Sequence, residues 1–341
     1  MEIDVLGIDL AKHVFQLHGA DRRGRAVHRA KVSRSALFET VRTLGPRLVV
    51  MEACSTAHHW ARRFQSLGIQ VQLISPQYVA PFVKTNKNDR NDAEAIVEAA
   101  SRPAMRFVTV KSIEQQDIQA AHRMRAILLR QRTALINQMR GLLGERGFAI
   151  ARSPEAFKRA MPQLLSTSAV ELTSFCQTLL TELLQHLKTL EERVRLIEAS
   201  IQSFMKQSSL CKKIAAIPGI GPITATAIVA AVGDAQQFRN GRHLAAWLGL
   251  VPRQYSSGGK PRLQGISRRG DTYLRTLLIH GARAVLRYVK AKTDPQSLWL
   301  QELIARRGYN CTAVALANKN ARIVQALLSS DEHYRQPNAA A

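Results

Sequence analysis

The amino-acid sequence predicts an α/β domain with a mixed sheet, then a long helical segment and a mainly helical C-terminal domain. Three observations carry this. Residues 1–111 alternate short apolar runs with helix-period stretches. Residues 112–207 show almost unbroken helical periodicity, and residues 208–341 divide into helix-period stretches punctuated by Gly, Pro and Asp. At 341 residues the chain is long for one core, so these three stretches are expected to be domains. A hydrophobic content of 46% supports packed globular cores.

Val5 to Asp9, Val14 to Gly19 and Ala26 to Val32 are short and close together, with Asp21-Arg22-Arg23-Gly24 as a turn, which fits an antiparallel meander. Leu37, Val41 and Leu44 mark a helix, and Leu48 to Met51 a further strand. A helix over Ala57 to Leu67 stops at Gly68, and Gln70 to Ile74 makes a fifth strand closed by Pro76. Further on, Cys176, Leu180, Leu183, Leu187, Leu190, Val194, Ile197, Ile201 and Phe204 are spaced four and three apart, as in a coiled-coil seam. The helix from Ile113 to Leu143 can fold back as its partner, and dimerisation through the seam is the alternative. In the last region Ile217-Pro218-Gly219-Ile220-Gly221-Pro222 reads as a helix-hairpin-helix-like turn. Gly219 and Gly221 there either approach a phosphate or simply make a tight turn. Asp271 and Asp294-Pro295 read as caps of two helices, with Arg283, Arg287 and Lys290 on one face of the first.

Lys and Arg number 49 against 25 Asp and Glu, a formal net charge of +24, so the expected partner is a polyanion. Basic charge alone also suits a solubilising surface, but acidic residues become sparse beyond residue 205 while Lys and Arg recur. Cys54, Cys176, Cys211 and Cys311 lack zinc-ligand spacing and read as free thiols. With no signal-like N-terminus and no apolar run of membrane-spanning length, a soluble cytoplasmic protein without a membrane partner is expected.

Two constellations could carry chemistry. Asp9 and Glu52 each end an apolar strand, and Asp89 and Asp92 follow at i, i+3, so four carboxylates can converge on hard cations. Glu94 and Glu98 read as ordinary helix residues. The second is Val251-Pro252-Arg253-Gln254-Tyr255-Ser256-Ser257-Gly258-Gly259-Lys260-Pro261-Arg262, followed by Gly265-Ile266-Ser267-Arg268-Arg269-Gly270. Small residues beside Arg253, Lys260, Arg262, Arg268 and Arg269 would let a hydroxyl approach a neutralised phosphate, although serine needs a base or metal to become a good nucleophile.

Gly7-Ile8-Asp9-Leu10-Ala11-Lys12, Met51-Glu52-Ala53-Cys54-Ser55-Thr56, Lys87-Asn88-Asp89-Arg90-Asn91-Asp92-Ala93, Ile217-Pro218-Gly219-Ile220-Gly221 and Pro252-Arg253-Gln254-Tyr255-Ser256-Ser257-Gly258 occur in that order. Together they resemble the DEDD transposases of the insertion-sequence 110/1111 family, across nearly the whole chain. The asparagine-rich third motif is closer to the 1111 branch. The resemblance implies an RNase H-like (RuvC-like) mixed-sheet domain, a coiled-coil insertion and a transposase domain carrying a nucleophilic serine. It implies Asp9, Glu52, Asp89 and Asp92 as ligands for Mg²⁺, for which Mn²⁺ can substitute, and Ser257 as nucleophile. Ser256 is a rival by spacing; Ser257 directly precedes Gly258, as in the family pattern. It further implies a bacterial, nucleoid-associated recombinase acting on donor and target DNA, guided by a structured RNA. A homo-oligomer, dimer or tetramer, is expected, with each active site built either within one chain or from acids and serine of different protomers. The alternatives are a RuvC-like Holliday-junction resolvase that uses water, and a non-catalytic nucleic-acid scaffold.

Overall fold

A computed structural model of the chain describes residues 2–83, 89–150, 152–167 and 172–335. The chain divides into two compact units, Met1–Ile113 and Glu114–Ala341.

The first unit is built on a six-stranded mixed sheet of order β3-β2-β1-β4-β5-β6, compatible with an RNase H-like DEDD domain. Its strands are β1 (Val5–Asp9), β2 (Val14–Ala20), β3 (Ala26–Ser33), β4 (Leu48–Glu52), β5 (Gln70–Ile74) and β6 (Phe107–Val108). The meander expected from the sequence is β1-β2-β3, with Gly7 opposite His18 and His18 opposite Arg29. Strands β1, β4 and β5 are parallel, and β6 returns antiparallel to β5. Helices α1 (Leu37–Leu44) and α2 (Ala57–Gln65) cover one face, where Ile8, Phe15 and Met51 pack with Leu37, Trp60 and Phe64. A short helix α3 (Pro76–Val79) leads towards α4 (Asp89–Ala100), whose Ala95, Ile96 and Ala99 cluster with Leu48, Val50 and Ile74 on the other face. Gly7 permits that approach: a Cβ there would lie 2.6 Å from Ala93 O and from Val97 Cγ2.

The second unit opens with α5 (Ile113–Gly144), α6 (Pro154–Thr167) and α7 (Ser174–Gln207). Helix α7 pairs with α5 in antiparallel fashion. Ile118 clusters with Ile201, Leu128 with Leu190 and Val194, and Met139 with Leu180. The seam read from the sequence is thus buried within the chain, capped at one end by Phe157 and Met161 of α6. The rest comprises α8 (Ser209–Ala215), α9 (Pro222–Val232), α10 (Gly241–Trp247), the hairpin of β7 (Pro252–Gln254) and β8 (Leu263–Ile266), α11 (Thr272–Leu286), α12 (Pro295–Arg307) and α13 (Tyr309–Leu328). Ile228, Leu244, Leu278, Leu316 and Val324 share its core. Asp271 and Asp294 cap α11 and α12 by accepting from the backbone N–H of Leu274 and Ser297. The basic face expected on the first of these is only partly helical, Arg287 N–H still bonding to Arg283 O. Helix α11 stops at Leu286, Arg287 is its cap, and Lys290 lies in a separate 3₁₀ turn. Arg283 donates to Asn310 Oδ1 at 3.1 Å. No helix among the described residues is long and apolar enough to cross a membrane.

Candidate active site

Asp9 and Glu52 are the last residues of β1 and β4. These strands are parallel with Ile8 opposite Met51, so the two acids are the next register step at the same edge, where neighbouring strands lie ~4.8 Å apart. Strand periodicity places Asp9 with Gly7, and Glu52 with Val50, on the face covered by α4. Both acids are half-buried. Their charges bear on one point: the Cys54 thiol is pushed up by burial first, then by Glu52 and Asp9.

Ala93 of α4 abuts Gly7, and the later Ile96 and Ala99 join Leu48 and Val50. The helix therefore runs back along the strands, and its first turn faces the edge carrying Asp9 and Glu52. Asp92 is half-buried in that turn. Asp89 opens the helix, but its side chain, like the whole of Lys87-Asn88, lies outside the described residues. Among the described residues no three His, Cys, Asp or Glu side chains converge closely enough to hold an ion. Glu94 pairs with Arg29 at 3.3 Å, and Glu98 pairs with Arg102, in keeping with ordinary helix roles. One feature that composition did not flag is Thr56, at φ 71° with its Oγ1 buried and unbonded among the described residues. A β-branched residue there is strained, and it sits immediately after the Glu52 motif.

In the second unit, the Gly- and Arg-rich segment around Ser257 is a β-hairpin, with Gln254 opposite Leu263. Gly258 and Gly259, at φ 55° and 75°, let the chain reverse between Ser257 and Lys260, with Lys260 N donating to Ser257 O at 3.1 Å. The two candidate serines differ. Ser256 Oγ accepts from Arg262 N at 3.2 Å and from Gln254 Nε2 at 2.9 Å, so it braces the hairpin. Ser257 is exposed, and among the described residues its hydroxyl makes no hydrogen bond. Arg253, Lys260, Arg262, Arg268 and Arg269 are also exposed.

The hairpin stands on a rigid base. Gly270, at φ 75°, packs so closely that a Cβ would sit 1.8 Å from Trp247 O, and a Cβ on Gly249 would sit 2.2 Å from Arg269 O. Arg268 adopts φ 56°, a left-handed conformation uncommon outside glycine. Arg275, 7% exposed, donates to Leu248 O at 3.1 Å and Arg269 O at 2.9 Å, fixing the start of α11 to this base. Sequence reasoning missed Arg275, although helix spacing puts it beside Leu278 and Ala282 on the buried face. The glycines of the 217–222 turn also divide. Gly219, at φ 90°, meets α11, where a Cβ would lie 2.8 Å from Gly281 O, so helix packing accounts for it. Gly221 is exposed with open space around it.

Two family models match the chain: one described as transposase, of the IS110 DEDD type, over residues 6–146, and one described as the transposase IS116/IS110/IS902 family over residues 211–296. A probable family 20 transposase of Pseudomonas aeruginosa is 53% identical over 98% of this chain and 99% of its own length. The transposase for insertion sequence element IS1111A of Coxiella burnetii is 51% identical over 98% of this chain and 92% of its own. The transposase for element IS1328 of Yersinia enterocolitica is 41% identical over 94% and 95%. With relatives this similar over nearly its full length, the chain belongs to the IS110/IS1111 family of insertion-sequence transposases.

Proposed function

We propose that this transposase inserts and excises its element by strand exchange through a covalent 5′-phosphoserine link to Ser257. The carrying observation is the contrast at the hairpin tip, where Ser256 is held by two donors while the neighbouring Ser257 hydroxyl is open among exposed Arg253, Lys260 and Arg262. In the first step Ser257 Oγ forms a bond to phosphorus as the P–O3′ bond breaks, and the proton lost from Oγ appears on the departing 3′-OH. That 3′-OH, on the exchanged strand, later attacks the phosphoserine and releases the serine. The phosphodiester energy is conserved in the link, so no nucleotide triphosphate is consumed.

Asp9, Glu52, Asp89 and Asp92 are the proposed Mg²⁺ ligands, with Mn²⁺ able to replace it. Half-buried carboxylates at adjoining strand ends are the hard oxygen donors such ions take. When bound, the ions would neutralise charge at the scissile phosphate and activate the attacking oxygen. The first unit is then of the RuvC-like class, the α5–α7 helical segment at 112–207 is separate from a transposase domain at 208–341, and the protein acts as a homo-oligomer, dimer or tetramer, joined by surfaces other than the seam already filled within the chain. Sequence choice falls to a structured guide RNA, because scattered Lys and Arg suit backbone contact rather than base reading. The site of action is the bacterial cytoplasm, at the nucleoid.

The test incubates purified protein with Mg²⁺, a transcript of the element's flanking DNA and labelled junction DNA. Joined strands are expected. Nicked products without joining would move the assignment to a resolvase that uses water, and a shifted complex alone to a non-catalytic scaffold.

A further inference from the structure

The first unit also holds a basic site, on the sheet face opposite the one that α4 covers beside the carboxylates. A pocket of about 460 Å³ is lined by His13, Ser33, Arg34, Ser35, His59, Trp60 and Arg63. Its floor is aromatic: Trp60, 2% exposed, packs edge-on to Phe15 and stacks on Phe64. Two guanidinium groups lie over that floor. Arg34 Cζ is 5.6 Å from the Trp60 ring centroid and 5.9 Å from that of Phe15, while Arg63 Cζ is 4.0 Å from Phe38 and 5.4 Å from Trp60. Such stacking orients a guanidinium plane without consuming its in-plane donors. Among the described residues Arg34 donates only to Lys12 O, at 3.4 Å, and neither arginine meets a carboxylate. The Trp60 Nε1 is a buried donor without a partner among the described residues.

The charges that act on His59 are all cationic. Burial holds the His59 imidazole below its ordinary value, and the next contributions all come from Arg63, Arg34 and Arg62. Two exposed hydroxyls, Ser33 and Ser35, stand 3.1 Å apart at the rim. His13 follows β1, Arg34 follows β3 and α2 follows β4, so the pocket opens at the sheet edge where Asp9 and Glu52 end their strands, in the opposite helical layer. Two forked, unpaired cations with hydroxyl donors and no acid match a phosphodiester group.

We infer that the Arg34–Arg63 pocket holds a backbone phosphate of a nucleic-acid strand, as an anchor in the helical layer opposite the carboxylates. This rests on the family's action on DNA and not on the serine chemistry proposed above. The test titrates full-length protein, without divalent cation, against a labelled DNA duplex and a labelled RNA hairpin over a range of salt. Replacing both arginines (Arg34→Gln, Arg63→Gln) should weaken binding ~10-fold near 0.1 M salt and make the slope of log K against log salt about 0.9 shallower on duplex DNA. Loss confined to DNA assigns the phosphate to the DNA substrate, loss confined to RNA assigns it to a guide, and loss on both assigns a shared anchor. A folded double variant with unchanged slope on both probes overturns the inference. If the double variant does not fold, Ser35→Glu, which adds a carboxylate at the exposed rim, must weaken binding relative to Ser35→Gln; equal binding by these two overturns it. Because no strand is cut in these titrations, failure of the Ser257 mechanism leaves their outcome untouched, and the reverse also holds.

Discussion

His122 on α5 offers a sharp test of how the second unit is assembled. It is 4% exposed and bridges α9 and α11, with Nε2 3.0 Å from Thr226 Oγ1 and Nδ1 3.0 Å from the Tyr273 hydroxyl. Thr226 Oγ1 also lies 2.8 Å from Pro222 O, and donation there leaves it to accept from His122 Nε2–H while Nδ1 accepts from Tyr273, so both nitrogens of a neutral ring are bonded. Burial, and then the Arg125 charge, lower the imidazole from 6.5 to about 4. The unfolded chain thus binds a proton that the folded one refuses. The resulting stability is complete above about pH 6.5 and is lost as the pH falls towards 4, a difference of ~3 kcal/mol. His122→Asn, which does not titrate, isolates this contribution. Thermal unfolding of both proteins from pH 7.5 to 4 should show the wild-type advantage shrinking by several degrees, since ~1 kcal/mol moves Tm by about 2–4 °C at this size. An advantage that stays constant across that range would refute the assignment of a neutral, fully bonded His122.

Gly7→Ala should cost ~1–3 kcal/mol, because its Cβ would lie 2.6 Å from the backbone oxygen of Ala93 and α4 must shift; chemical denaturation of unchanged midpoint would count against the close approach. Ser256→Ala should loosen the hairpin by ~1 kcal/mol, seen as faster hydrogen exchange at the Arg262 amide, while leaving strand transfer mostly intact. A Ser256→Ala protein as inactive as Ser257→Ala would reverse the serine assignment. Asp9→Asn and Glu52→Gln should suppress strand transfer at low Mg²⁺ and recover in part with raised Mg²⁺ or Mn²⁺. Wild-type activity of either under limiting metal would remove that carboxylate from the ligand set.

The first five strands were legible because each alternates or runs apolar between turn residues, and their observed ends differ by at most one residue from the expected ones. Strand β6 was not, since Phe107–Val108 is too short to show a period. The hairpin around Ser257 hid behind its composition. Its strands are exposed and polar, so no buried face imposes alternation, although Gly258-Gly259 between two short runs is a turn signal that could have located it. That Asp9 and Glu52 end neighbouring strands could be guessed from the apolar runs, whereas their common register needed β1 and β4 to pair in parallel. The Arg34–Arg63 pocket was invisible in sequence because its residues come from two loops, the end of β3 and a helix that only the folded sheet edge brings together. Gly219 shows another limit, since the close approach of its backbone to Gly281 on α11 leaves no trace in the motif's spacing.

Ser257 is the proposed carrier of the strand. The most direct measurement traps labelled DNA with wild-type, Ser257→Ala and Ser256→Ala proteins, resolves the products on a denaturing gel and maps the linked peptide. The account predicts an adduct in wild-type and Ser256→Ala proteins, mapped to Ser257, and none in Ser257→Ala even with Mn²⁺ added. An adduct that survives Ser257→Ala, a link mapped to Ser256 or Tyr255, or wild-type cleavage without any adduct would contradict it.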